Sequence, residues 1–352
     1  MKTSSKFFFL LFFATLAMPA FAKKWRVNNA LTVPTQVDFN ELKDAVDSPT
    51  VSAGDTVYVE GSAQPYQGNI QIFKKLTIIG PGFFLEQANL QPTLCSHLAA
   101  TIGGAPGITL KEGSSGSYIT GLNIFSDFGN PISIMIEKVS NLTITRNRME
   151  LIRFENGTAS NIIACSNIFI TRNIIERDLA FGCYNTINAV YITNNLIMGD
   201  IDNYCGSDTQ VNILNGTVYN NTFKANSLLW IRGSDIAYNY VGTIDSEPMN
   251  QMIHHNILSL SNAQNQAIVA SNSTNVMDPY NDGSFNFETD NWTLLPPDQT
   301  TTHGAYNGGD PYYSDNPVSP ANLPAWPAIY QCTVQPCGDT NIQVQFKVRV
   351  ND

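Results

Sequence analysis

The sequence predicts an all-β solenoid, a stack of short-stranded parallel coils, on three observations. The first is a phrase that recurs between Asn141 and Leu258, with an apolar residue three positions before an asparagine. It appears as Ile144 and Asn147, Ile170 and Asn173, Ile192 and Asn195, Val218 and Asn221, Ile236 and Asn239, and Ile253 and Asn256. The second is the spacing of those asparagines, 26, 22, 26, 18 and 17 residues, a period at which each unit buries its apolar face only by stacking on its neighbours. The third is the patterning inside each unit. "NLTITRNRM", "NIFITRNII" and "AVYITNNLI" alternate β-branched with polar residues, as half-buried strands do.

A coil of this length is too short for two helices and their turns. The asparagines have a physical reason of their own. A carboxamide both donates and accepts, so stacked copies can bond to one another and to turn backbone, and Asn tolerates left-handed geometry. Asn also simply marks turns, but six copies at matched offsets predict a ladder: Asn147, Asn173, Asn195, Asn221, Asn239 and Asn256. The pattern resembles the right-handed parallel β-helix proteins of the pectin-lyase-like fold, which carry such ladders in a turn. That resemblance implies a single-stranded right-handed β-helix over residues 55–270, with roughly eight to ten coils at this repeat length. Handedness comes from the resemblance alone.

Taken in order, residues 1–22 read as a secretory signal peptide. Lys2 and Lys6 form its positive end, Phe7 to Met18 its apolar run, and Ala20-Phe21-Ala22 its cleavage pattern. The expected location is therefore secreted or cell-surface. No later stretch approaches spanning length, so no membrane span is expected. Residues 23–54 are expected to form an N-terminal cap. Within it "DFNELKDAVDSP", Asp38 to Pro49, predicts an amphipathic helix started by a capping-box-like pair, Asp38 and Glu41. "GDTVYVEG" and "KKLTIIGPGFFL" give the first strands. Residues 86–107 fit the repeat poorly and read as a looped excursion. "SYITGLNIF" matches the later coils, with Leu122 in the ladder position. Residues 271–352 form an irregular segment, rich in Pro and aromatic residues, that ends in the alternating strand "NIQVQFKVRV". Its "DPYY…NPVSPANLPAWPAIY" stretch resembles a tail of secreted bacterial β-helix proteins.

The six cysteines all follow the signal, an even count suited to an oxidising compartment. Cys183 and Cys205 stand about one coil apart, close enough to bridge if their side chains face each other. Cys332 and Cys337, in "CTVQPC", are expected to close a tight loop, and Cys95 and Cys165 pair by elimination.

The formal net charge is −10, and loss of Lys2 and Lys6 makes it −12. That balance argues against nucleic acid as a partner. It argues only weakly against an acidic polysaccharide or cell-surface glycan, which a local basic patch can hold. If Ile152, Phe154, Leu179, Phe181 and Ile201 point inward, Arg153, Glu155, Asp178, Asp200 and Asp202 point outward on adjacent coils. Stacked carboxylates of this kind share protons or bind calcium, and an arginine beside them holds a uronate or sulfate. Arg153, Asp178, Asp200 and Asp202 are accordingly the candidate catalytic residues, with calcium the candidate ion. Ordinary solvated charges on an outer face are the simpler explanation.

The Gly-His-Gly and Arg-x-Lys signatures of polygalacturonases on this fold are absent, as are a phosphate loop, HExxH and GxSxG. The histidines number four, His97, His254, His255 and His303. His254 and His255 abut a ladder position, one expected outside and the other in a turn. The expected function is that of an exported, monomeric, non-catalytic surface or glycan-binding module. The alternative is a polysaccharide lyase or glycoside hydrolase acting on acidic polysaccharide.

Overall fold

The computed structural model describes residues 22–31, 33, 35–83, 98–125, 131–203, 211–223, 228–229, 231, 233–241, 243–244, 252–258, 266–269, 304–305, 328–336 and 342–349. It is mostly β, with parallel strands stacked in register, as a parallel β-helix requires. Three ladders run through the stack.

The first holds β1 (Lys24–Val27), β2 (Thr56–Val59), β5 (Thr77–Ile79), β8 (Tyr118–Thr120), β11 (Ser140–Thr145), β14 (Ile163–Thr171) and β17 (Asn185–Thr193). It continues with β20 (Val211–Leu214), β21 (Gly216–Tyr219), β24 (Ser234–Ala237) and β27 (Met252–Leu258). The second holds β3 (Tyr66–Gln67), β6 (Thr101–Gly103), β9 (Asn123–Phe125), β12 (Arg148–Met149), β15 (Ile174–Ile175), β18 (Leu196–Ile197), β22 (Thr222–Phe223) and β25 (Tyr240–Val241), and ends on β28 (Gln266–Val269). The third holds eight strands: β4 (Ile70–Ile72), β7 (Ile108–Leu110), β10 (Ile132–Ile136), β13 (Leu151–Phe154), β16 (Leu179–Phe181), β19 (Ile201–Asn203), β23 (Leu228–Leu229) and β26 (Thr243–Ile244). Thr101–Gly103 is therefore a ladder strand, not part of an excursion. Its only inward side chain is Ile102, too little apolar periodicity to read from sequence.

Period-two patterning becomes an inward column. Val57, Ile78, Ile119, Ile144, Ile170, Ile192, Val218 and Ile236 share one register of the first ladder and are fully buried. Each such side chain stabilises the stack by about 1.5–3 kcal/mol. From the third ladder, Phe154 and Phe181 stack inside the core, ring centroids 4.9 Å apart.

The asparagines form a ladder inside the bend between the first and second ladders. All six are fully buried. The Oδ1 of each from Asn173 to Asn256 accepts both the backbone N–H and the Nδ2–H of the asparagine one coil earlier, at 2.9–3.3 Å. Each Nδ2 also donates to a carbonyl of the preceding coil, as Asn195 does to Ile170 at 2.8 Å. Leu122 occupies the earlier rung, where its N–H donates to Asn147 Oδ1 at 3.0 Å.

The left-handed residue is not the ladder asparagine but the one before it. Arg146, Arg172, Asn194, Asn220, Tyr238 and His255 have φ between 54° and 58°, and Gly121 stands at 72° before Leu122. A left-handed non-glycine residue costs about 1–2 kcal/mol. The buried amide bonds beside it, each contributing about 1 kcal/mol, offset that cost.

Helix α1 spans Leu42–Asp47, shorter than the Asp38–Pro49 expectation, and has no side-chain cap. The expected capping pair is used elsewhere. Asp38 Oδ2 accepts the Arg26 N–H at 2.8 Å, and Glu41 Oε2 accepts the Gln67 N–H at 2.9 Å. Leu42, Ala45 and Val46 are buried, and α1 packs against β1, β3 and β4. No described helix is long and apolar enough to cross a membrane.

Cys183 is disulfide-bonded, and Cys205, its expected partner, lies outside the described residues. Cys165 is a free thiol, and Cys95, its expected partner, lies outside the described residues. The alternation of β14 turns Cys165 into the core, 4% exposed, and burial pushes the thiol pKa up. Cys332 stands within β29 (Ala328–Pro336), antiparallel to β30 (Ile342–Arg349). The expected tight loop is thus extended strand as far as Pro336. Cys337 lies outside the described residues, as do residues 1–21 and most of 271–352.

Candidate functional site

The third ladder positions the charged candidates. Ile152, Phe154, Leu179, Phe181 and Ile201 all point inward. Arg153 pairs with Ala180 and Ala180 with Asp202, so Arg153 and Asp202 share one outward column, two coils apart and roughly 9–10 Å in backbone separation.

Asp178 and Asp200 do not join that column. They stand in the turns before β16 and β19, where Asp178 Oδ1 accepts the Asp200 N–H at 2.9 Å. A Cβ on Gly199 would lie 2.1 Å from the same oxygen, so Gly199 is glycine to let this turn bond form. Asp178 is thereby engaged in closing a turn. Among the described residues, no group of three or more His, Cys, Asp or Glu side chains is placed to hold a metal ion, so the candidate calcium has no such group here.

A groove of about 520 Å³ borders the ends of the third-ladder strands, lined in part by Phe73, Lys111, Glu112, Glu137, Lys138 and Glu155. Its charges are largely paired internally. Lys111 Nζ bonds Glu137 Oε1 at 2.6 Å, and Lys138 Nζ lies 3.9 Å from Glu112 Oε2. Phe73 stands exposed at its rim.

The first ladder presents the most regular outer surface. One outward column runs Tyr118, Thr143, Phe169, Tyr191, Thr217, Asp235 and Met252, and the next runs Thr120, Thr145, Thr171, Thr193, Tyr219, Ala237 and His254, with Thr120, Thr145 and Ala237 buried under their neighbours. Parallel register forces this, because identical strand positions in "YIT", "TIT" and "FIT" must stack. Phe169 and Tyr191 lie face to face, 4.7 Å apart and within 6° of parallel. Phe169 remains 38% exposed despite that stack.

At the far end of this face Tyr219, Asp235, Tyr238, His254 and His255 converge. Asp235 Oδ1 lies 3.0 Å from His254 Nε2, and Asp235 Oδ2 accepts a short hydrogen bond from the Tyr219 hydroxyl. Partial burial pushes the Tyr219 pKa up to about 12, and its bond to the Asp235 carboxylate adds to the rise. His254 Nδ1 faces His255 Nδ1 at 2.8 Å. The Tyr238 ring stacks on His255 at 5.4 Å and meets His254 edge-on at 6.2 Å.

The sequence placed one of the two histidines outside and the other in a turn; His254 is the outward strand residue and His255 the left-handed one. Tyr219, Asp235 and Tyr238 were missed. Their only sequence signal is an offset: each occupies a fixed place relative to its ladder asparagine, which locates a residue in a column but does not mark it as functional. No family model matches the chain, and no curated protein or solved structure matches it.

Proposed function

We propose that this is an exported, non-catalytic glycan-binding protein whose first-ladder face is the binding surface. On this reading the solenoid is a right-handed β-helix of the pectin-lyase-like kind, α1 covers its N-terminal end, and the chain leaves the cell after cleavage behind Ala22. The observation that carries the reading is the Phe169–Tyr191 stack, with Phe169 exposed and Tyr191 half-buried, beside the half-buried Thr171 and Thr193 on the outer side of a parallel sheet. Aromatic faces bury the apolar C–H face of a sugar ring, and the hydroxyls beside them supply the few oriented polar contacts that such sites need. The Arg153–Asp202 column offers less to a polysaccharide enzyme, because Asp178 is held in a turn.

The test is binding of the purified exported chain to cellulose, chitin, pectate and alginate, read by depletion from solution and by affinity electrophoresis. Retention on at least one polymer, lost in the Phe169→Ala/Tyr191→Ala double variant with its fold intact, is the expected result. Absence of retention on all four, or retention undiminished in the double variant, overturns the assignment. Release of unsaturated or reducing ends would favour the lyase or hydrolase alternative.

A further inference from the structure

His254 and His255 make an arrangement that neither strand pairing nor the asparagine ladder requires. His254 lies beside Ala237 on the outer face of the first ladder. His255 is the left-handed residue of the following bend, at φ 54°, and is exposed. Their Nδ1 atoms converge to 2.8 Å. Asp235 accepts the Nε2–H of His254 at 3.0 Å, which keeps that proton on Nε2 and leaves Nδ1 with a lone pair. The other carboxylate oxygen is held by the Tyr219 hydroxyl. A histidine that donates its distal N–H to a carboxylate and turns its other nitrogen toward a second imidazole has the outer-shell support found at metal centres. Tyr238 packs against both rings.

The distances allow it. A tetrahedral ion bound at about 2.0–2.1 Å from each nitrogen sets the two nitrogens about 3.3 Å apart, so the rings open by about half an ångström and turn until both lone pairs meet at the ion instead of at each other.

We propose that His254 Nδ1 and His255 Nδ1 together chelate one divalent transition-metal ion of the Zn²⁺, Ni²⁺ and Cu²⁺ class. Asp235 acts as a positioning residue for His254. Two side chains supply the protein ligands, and water completes the coordination. His255 binds through Nδ1 by carrying its proton on Nε2, a tautomer its exposure permits. Imidazole nitrogen selects this class over Ca²⁺ and Mg²⁺, which take oxygen ligands. The site does not depend on glycan binding, so failure of one leaves the other standing.

The experiment titrates the chelator-treated exported chain with Cu²⁺, Ni²⁺, Zn²⁺ and Ca²⁺ by calorimetry, and records the Cu²⁺ spectrum for nitrogen ligation. One ion per chain is expected, with Cu²⁺ tightest, no heat from Ca²⁺, and two nitrogen ligands in the spectrum. His255→Gln, an exposed change, removes binding. Asp235→Asn weakens it by about 10–100-fold without changing the ion-to-chain ratio. Binding of none of the three transition metals at millimolar concentration overturns the proposal. So does binding that persists unchanged in both His254→Ala and His255→Gln. Unchanged affinity in Asp235→Asn removes Asp235 from the site.

Discussion

At the scale of single residues, the ladder asparagines carry more than their own hydrogen bonds, because each amide oxygen from Asn173 to Asn256 serves two donors of its neighbour. Asn195→Leu strands two donors, the N–H and Nδ2–H of Asn173, and leaves the Ile170 carbonyl without the Asn195 amide. Asn147→Leu strands one donor, the Leu122 N–H. A buried donor left without a partner costs about 1–3 kcal/mol, so Asn195→Leu is expected to destabilise by about that much more than Asn147→Leu. Paired urea-unfolding curves measure the difference, and equal midpoints would contradict it.

Asp55 provides a second test at this scale. Its carboxylate is buried and accepts from Trp25 Nε1 at 2.8 Å, the Lys23 N–H at 2.7 Å and the Ser52 N–H at 2.9 Å. Burial alone would push its pKa up, but the three hydrogen bonds outweigh burial and hold it below the ordinary carboxylate value. A depressed folded-state pKa contributes stability that is present above the unfolded value, about pH 4, and lost as pH falls through the folded one. Asp55→Asn should therefore lose stability at neutral pH and show a flatter fall below about pH 4 than the parent chain. Thermal unfolding followed across pH 2–7 would show parallel curves if this account were wrong.

At the scale of elements, coils are legible where their inward side chains are β-branched and evenly spaced, and lost where they are short. β11, β14 and β17 follow from "NLTIT", "NIFIT" and "AVYIT", whereas the two-residue β3 and the three-residue β6 are defined by parallel partners supplied from elsewhere. The α1 end shows the same limit. Asp38 and Glu41 have the types and spacing of a capping box, yet their carboxylates bond Arg26 and Gln67, residues that become neighbours only after folding. Packing between coils has its own test. Phe154 and Phe181 stack 4.9 Å apart in the core, so a double-mutant cycle with Leu at both positions should give a coupling of about 0.5–1.5 kcal/mol. Additive single-variant effects would show that the two rings fill space without acting as a pair.

At the scale of the whole molecule, the outer faces divide by chemistry. The third ladder carries Arg153 and Asp202, and the first carries threonine and aromatic rings. Glycan binding on the first face should change little when salt is raised from about 0.05 to 0.5 M, because stacking and neutral hydrogen bonds are not screened. Binding that falls steeply over that range would point to the Arg153 column instead.

The repeat by itself determined the solenoid, its inward columns and its asparagine rungs. A period of identical offsets can close only by stacking, and stacking dictates which positions repeat inside and outside. Tertiary structure alone decided which outer residues meet. Tyr219, Asp235 and His254 are separated by one coil each along the chain and become neighbours only through the register of β21, β24 and β27. Asp178, one of the predicted site carboxylates, is withdrawn by a bond to the next coil's backbone. The physical reason is the same in both cases. Inward side chains are selected by burial, which periodicity reveals, whereas the identities of the outward ones are not constrained by burial, so periodicity gives their column and not their chemistry.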